Sequence, residues 1–265
     1  DEGWTYQKNE NYWDVKNVNV DEINVRVVPE AQTQKILWEQ GDIDVLTLGV
    51  DDVTEFKDSK FLHQELTPRI NYFYLSNSTA KPNEILGNKN FRAAVAHSID
   101  KTVIADSILN DGSVAADYFV PKGVLSNDGK DFRDITNLES PIYDQQKAQE
   151  YLKTAKQELG IDGKITVDLA VSDVQITKKI YENIKSQVET ALPDVTINLV
   201  TTPISTYFPM LYEHATPAAV SQLEPAYKDI EGFLYIFRTG LSQNFADWSN
   251  SEYDALYKKA ESLEY

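Results

Sequence analysis

From Ile165 to Val171 the chain reads ITVDLAV, with apolar and polar positions alternating as in a half-buried strand. Ile176, Ile180, Ile184 and Val188 then recur at a fixed helical interval, which predicts an amphipathic helix stopped by Pro193. Val195 to Val200 (VTINLV) returns to strand character. This strand–helix–strand unit is the best formed in the chain. A second is predicted nearer the start. Ile23–Pro29 alternates, Ala31–Gln40 places Ile36, Leu37 and Gln40 at helical spacing before a stop at Gly41, and Asp42–Leu46 begins another strand. Units of this kind predict an α/β architecture.

The remaining elements follow from the same periods and from capping residues. Asp51–Lys57 is expected to be a short helix capped by Asp51 or Asp52. Ile70–Asn77 (INYFYLSN) is aromatic and β-branched and reads as a buried strand. Asn88 caps a helix whose stripe is Phe91, Ala94, Val95 and Ile99. Asp100 caps the next, with Val103, Ile104, Ile108 and Leu109. Ser126–Pro141 is polar and reads as a surface loop. Asp144 caps a helix that ends at Gly160, with Ala148, Tyr151, Leu152, Ala155 and Leu159 on one face. Tyr207–Glu213 is predicted helical, with Pro209 kinking the helix or confining it to later residues. Pro217–Leu223 is a weak strand, and Phe233–Phe237 fits either element. Ser249-Asn250-Ser251-Glu252 forms a capping box for a last helix carrying Tyr253, Leu256, Tyr257 and Ala260.

Charge narrows the function. With 42 acidic against 25 basic residues the net charge is −17, which excludes a phosphate-binding surface and so nucleic acid. There is no cysteine, and hence no disulfide, thiolate metal site or cysteine nucleophile. Fifteen tyrosines and four tryptophans are enough to line a cleft as well as a core. His63, His97 and His214 stand far apart without ligand partners at helical spacing, so no zinc site is expected. No phosphate-binding loop, nucleophile elbow or kinase signature occurs. Acid pairs such as Asp42/Asp44 and Asp51/Asp52 read as strand-end and cap residues. Asn127–Asp131 lacks the spacing of a calcium loop. An enzyme is therefore not expected. No apolar run approaches the roughly 18 residues that span a bilayer. The opening DEGWTYQKNENYW has no signal-peptide pattern, so the expectation is a cytosolic protein or a piece whose export signal lies upstream.

Several blocks, taken in order, carry a resemblance. They are Asn11-Tyr12-Trp13-Asp14 before the first strand, Gly41-Asp42-Ile43-Asp44 after the first helix, and Tyr74-Leu75-Ser76-Asn77 at a strand end. Phe91-Arg92-Ala93-Ala94-Val95-Ala96 leads into Ile99-Asp100-Lys101, followed by Phe119-Val120-Pro121 and by Trp248–Asp254 (WSNSEYD) at the last helix. Together they resemble the oligopeptide-binding proteins of ABC importers, the bacterial extracellular solute-binding protein family 5. The resemblance implies a periplasmic-binding-protein-like (type II) lobe, a mixed β-sheet flanked by helices. Residues 1–20 would be a flank returning from a first lobe, and 21–265 the second lobe, truncated at both ends.

It implies a substrate-binding component that captures extracellular oligopeptides between two lobes and delivers them to permease subunits. That component would be monomeric, without a cofactor, and lipid-anchored at the extracellular face of the membrane or periplasmic. The other reading kept open is a ligand-sensing lobe of a peptide-responsive regulator or pheromone receptor with the same fold. Where the family carries a tryptophan and then an acid before tyrosine, this chain has Leu223 and Ala226, so the terminal-amine clamp is altered. The expected ligand contacts, chiefly through main chain, are Val220, Gln222, Glu224, Ala226, Tyr227 and Asp229, with Glu224 or Asp229 as a substitute charge.

Overall fold

The computed structural model describes residues 2–49, 52–78, 83–126, 128–136, 142–226 and 229–262. The chain divides into two compact units, Asp1–Leu62 and His63–Tyr265.

In the first unit β1 (Gly3–Gln7) and β2 (Glu22–Arg26) form an antiparallel pair, tying residues on both sides of position 20 into one sheet. Trp4 lies opposite Val25 and Tyr6 opposite Ile23, so one face of the pair is apolar; on the other, Thr5 Oγ1 donates to Asn24 Oδ1 at 2.7 Å. A Cβ at Gly3 would lie 2.1 Å from the Val25 carbonyl oxygen, which restricts that position to glycine. Helix α1 (Ala31–Gln40) has the predicted bounds and ends on Gly41 at φ 77°.

The strand expected at Asp42–Leu46 does not form. Among the described residues nothing pairs with it, Val45 is 81% exposed, and an alternating pattern without a ladder partner stays irregular. Helix α2 (Val53–Phe56) follows. The Asp52 side chain does not cap it but pairs with Lys35 Nζ at 2.9 Å, while Asp51 lies outside the described residues.

The second unit is built on a mixed four-stranded sheet. Its spatial order is β3 (Ile70–Leu75), β6 (Ala218–Leu223), β4 (Ile165–Ser172) and β5 (Val195–Thr202). β4 and β5 run parallel in full register, joined through helix α7 (Gln175–Ala191), and β3 runs antiparallel to β6. The weak strand of the sequence is thus an interior one. Helices α3 (Glu84–Gly87) and α4 (Lys89–His97) follow β3. Then come α5 (Phe132–Ile135), α6 (Gln145–Leu159) and, after β5, α8 (Ile204–Tyr212), with α9 (Glu231–Leu234) and α10 (Ser251–Glu261) last.

On one face Phe73, Leu75, Val167, Leu169 and Ile197 meet Phe91 and Val95 of α4 and Ile184 and Val188 of α7. On the other, Ile70 packs with Val120, Val124 and Phe233, and Tyr74 sits 5.9 Å from Phe245. Among the described residues no helix is long and apolar enough to cross a membrane.

The caps at Asn88 and Asp144 form as read: Asn88 Oδ1 accepts from Phe91 N–H at 2.9 Å and Asp144 Oδ1 from Lys147 N–H at 3.0 Å. Other details differ. Val103–Leu109 winds as a π-helix, with Asn110 N–H donating to Ala105 O at 2.9 Å; the stripe Val103, Ile104, Ile108 and Leu109 is half-buried beside buried Ala105, while Asp106 and Ser107 are exposed. Helix α8 begins at Ile204 and runs through Pro209. An interior proline costs about 3 kcal/mol, but burying Tyr207 and Leu211 returns about 1.5–3 kcal/mol each. The last helix is capped by Asn250, whose Oδ1 accepts from Glu252 N–H and Tyr253 N–H at 2.9 and 3.0 Å, and Ser249 lies outside the cap. Phe233–Phe237 is divided between the end of α9 and a 3₁₀ turn at Tyr235–Phe237.

The region read as a loop contains α5, while residues 127 and 137–141 lie outside the described ones. Asp131 holds this segment: its Oδ2 accepts from Gly123 N–H at 2.7 Å and its Oδ1 from Arg133 N–H at 2.9 Å. Those main-chain bonds keep its carboxyl below its ordinary value of 3.8. A depressed folded-state value means that the contribution is present above 3.8 and is lost as the pH falls through and below it. Thermal melting of wild type and Asp131→Asn from neutral pH downward should show wild type ahead near neutrality and the difference vanishing in acid. A difference that persists undiminished in acid would contradict this account.

Candidate functional site

Strand β6 directs part of its main chain away from β3. Ser76 N–H donates to Pro217 O at 2.7 Å, one step beyond the register pair Leu75↔Ala218. Hydrogen-bonded and non-bonded pairs alternate along an antiparallel ladder. Ala219, Ser221 and Leu223 therefore direct their N–H and C=O groups to β3, and Ala218, Val220 and Gln222 direct theirs to the opposite side.

That side is occupied by β4 for only one register pair, Ala170↔Ala219. Just past it stands the hydroxyl of Tyr207, from α8. It accepts from Val220 N–H at 3.0 Å, and its proton lies within reach of Val220 O at 2.6 Å and Ala170 O at 3.1 Å. Tyr207 is 3% exposed, and burial pushes its hydroxyl well above the ordinary tyrosine range, which keeps it a neutral donor. Beyond this point Gln222 is exposed, and among the described residues no strand lies along its open side.

The six expected contact residues separate in the structure. Val220 is buried, and its N–H and C=O are both engaged by Tyr207, so it faces the interior. Gln222 presents its main chain to the open edge. Glu224 Oε2 accepts from Arg69 Nε at 2.7 Å and from Nη2 at 2.5 Å, so its charge is already matched. Both side chains are nearly half exposed, where such a pair contributes about 0–1 kcal/mol. Ala226 is exposed. Asp229 Oδ1 accepts from Glu231 N–H at 2.9 Å, a turn bond at the start of α9. Tyr227 lies outside the described residues.

Aromatic rings back the strand. Tyr72, opposite Ser221 and hydrogen-bonded to it, lies 5.0 Å from Phe119; Phe119 lies 4.8 Å from Phe237, and Phe237 6.5 Å from Trp248. Burial raises the Tyr72 hydroxyl, as do the neighbouring Tyr235 and Tyr212. Among the described residues no group of three or more His, Asp or Glu side chains could hold a metal ion; His97 Nδ1 lies 2.6 Å from Ile142 O, and its ring stacks on Tyr151.

Tyr207 and Arg69 were not legible as site residues. The available signal for Tyr207 was weak: it shares a helical stripe with Leu211, and a buried tyrosine hydroxyl needs a partner. Arg69 pairs with a residue far along the chain, and sequence spacing carries no sign of that.

Comparison with known proteins fits this geometry to one family. Residues 1–245 match the family model of bacterial extracellular solute-binding proteins, family 5, middle region. The dipeptide-binding protein DppE of Bacillus subtilis (strain 168) is 27% identical over 261 residues, covering 98% of this chain and 47% of that protein. The substrate-binding domain of an oligopeptide ABC transporter from Bacillus anthracis superposes with a TM-score of 0.81 at 34% identity, covering 98% of this chain and 50% of that one. OppA of Listeria monocytogenes bound to peptide superposes with a TM-score of 0.80 at 29% identity, over 97% and 50%. The chain thus spans about half the length of each of these three relatives.

Proposed function

The chain belongs to the bacterial extracellular solute-binding proteins of family 5, and from that premise we propose that it captures oligopeptides by pairing them, main chain to main chain, with the open edge of β6. The observation that carries this reading is Gln222, an exposed residue whose N–H and C=O, by the alternation along β6, point to the side that β4 leaves after Ala219. An extended peptide laid there adds a strand, and its backbone is read without regard to most side chains. Continued past Leu223, the same alternation gives Glu224 and Ala226 the open side. It gives Pro225, which has no N–H, the β3 side, where the register with Ile70 has ended. Glu224, held by Arg69, offers no spare charge for a peptide ammonium group, so the affinity comes from main-chain bonds.

The capture step makes and breaks no covalent bond. The complete polypeptide delivers bound peptide to the permease of an ABC importer as a monomer, anchored by lipid at the extracellular face. The similarity to the substrate-binding domain of the Bacillus anthracis oligopeptide ABC transporter and to Listeria monocytogenes OppA bound to peptide supports peptide as the ligand class.

The test is Gln222→Pro in the complete polypeptide, with a mixed tri- to pentapeptide pool and calorimetry. Proline there removes a donor on the open side only, a placement that sheets tolerate at edges. Affinity should fall about tenfold or more, as expected for one lost bond plus the ring in the edge, while the thermal midpoint changes little and Gln222→Ala stays within about twofold. Unchanged affinity in Gln222→Pro would refute the edge, and no binding by wild type would refute peptide as the ligand.

A further inference from the structure

We propose that Tyr207 is a positioning residue for the ligand edge: its hydroxyl ends the β4–β6 ladder and so keeps the main chain at Gln222 free. The inference deepens the peptide-binding reading and rests on it. Ile165 N–H donates to Asp194 O at 2.8 Å, so the odd-numbered residues of β4 point their main chain at β5, and Ala170 and Ser172 point theirs toward β6. If the parallel ladder ran on from Ala170↔Ala219, the next bond would join Ser172 N–H to Val220 O. Both strands are long enough for it, since β4 reaches Ser172 and β6 reaches Leu223. Among the described residues no Ser172↔Ser221 pair follows, and the Tyr207 hydroxyl lies 2.6 Å from Val220 O, the acceptor of that next bond.

The same hydroxyl oxygen accepts from Val220 N–H at 3.0 Å and lies 3.1 Å from Ala170 O, so it sits at the last pair of the ladder and also reaches Val220 O, the acceptor that a continuing strand would serve. Buried main-chain groups must be paired. A ladder ended without this hydroxyl would leave Val220 O without a donor in the interior, and the strands would close on each other to supply one. With it, β6 can part from β4 and present Gln222 outward. A helix supplies the cap because α8 follows β5 directly. Pro203 O accepts from Tyr207 N–H at 3.0 Å, which fixes the tyrosine in the first turn.

The test is Tyr207→Phe in the complete polypeptide, against Val188→Ala as a variant of comparable stability loss in α7, far from the edge in the hydrogen-bond network. Residue-resolved amide exchange without peptide should show Ser172 N–H protected at least tenfold more in Tyr207→Phe than in wild type, and no gain in Val188→Ala. Peptide affinity should fall at least tenfold in Tyr207→Phe and stay within about twofold in Val188→Ala. Unchanged or reduced Ser172 protection in Tyr207→Phe, whatever the affinity, would overturn the proposal. An affinity loss matched by Val188→Ala would also overturn it, since a merely structural tyrosine would act only through stability. If wild type binds no peptide, the functional reading fails by itself, and the exchange result still decides the role of Tyr207.

Discussion

Replacing Phe91 with alanine should destabilise the His63–Tyr265 unit by about 3–5 kcal/mol, the range for removing a buried phenyl ring. Phe91 is 0% exposed and sits where α4 meets the sheet, touching the layer formed by Phe73, Leu75, Val167 and Leu169. A small apolar cavity of about 10 Å³ already lies among these residues, so removing the ring enlarges a void lined entirely by hydrophobic side chains. The Asn88 cap fixes the start of α4 through Phe91 N–H, so the backbone does not follow the lost ring inward. Transfer and cavity terms therefore add. Urea unfolding monitored by far-ultraviolet circular dichroism reads the loss as a lower midpoint at unchanged slope. A loss below about 1.5 kcal/mol would mean that α4 is not seated on the sheet as described.

Ser221→Pro should abolish the cooperative fold of this unit or cost it about 3 kcal/mol or more, although its neighbour Gln222→Pro leaves the fold standing. The two positions differ only in direction. Ser221 faces Tyr72 in the antiparallel register and is one of the residues whose N–H serves β3, in a strand that has neighbours on both sides. Proline at Ser221 deletes a ladder donor and sets its ring against β3, which central strands do not admit. Thermal melts of the two variants side by side give the readout. Equal midpoints would show that the alternation of main-chain direction along β6 is misassigned, and with it the open edge.

Local chemistry made much of the scaffold legible. The αL stops at Gly41 and Gly160, the caps at Asn88 and Asp144, and the β4–α7–β5 unit lie where the pattern puts them, because each is decided by residues within a few positions of one another. Failures have an equally local form. Asp42–Leu46 has the alternation of a strand and no neighbour to bond. Val103–Leu109 has the apolar content of an α-helix and the hydrogen bonding of a π-helix. Pro209 predicts a kink or a later start, yet α8 begins at Ile204 and runs through it while Tyr207 and Leu211 are buried. Only for Pro209 is a tertiary term identified, the burial of Tyr207 and Leu211, that offsets a local cost of similar size.

The sequence by itself determined the family, through short blocks such as Phe91–Ala96, Ile99–Lys101 and Trp248–Asp254, and the elements whose periods and caps are self-contained. Its expected contact set on β6 alternates, with Val220, Gln222, Glu224 and Ala226 sharing one parity, because a strand repeats every two residues. Tertiary structure decided which of these faces outward. It set β6 in the interior of the sheet, brought the Tyr207 hydroxyl to Val220 and Ala170, and matched Glu224 with Arg69. Those pairings join residues remote in the chain. Hydrogen-bond satisfaction is a property of the assembled sheet, so it could be read only once the strands were in place.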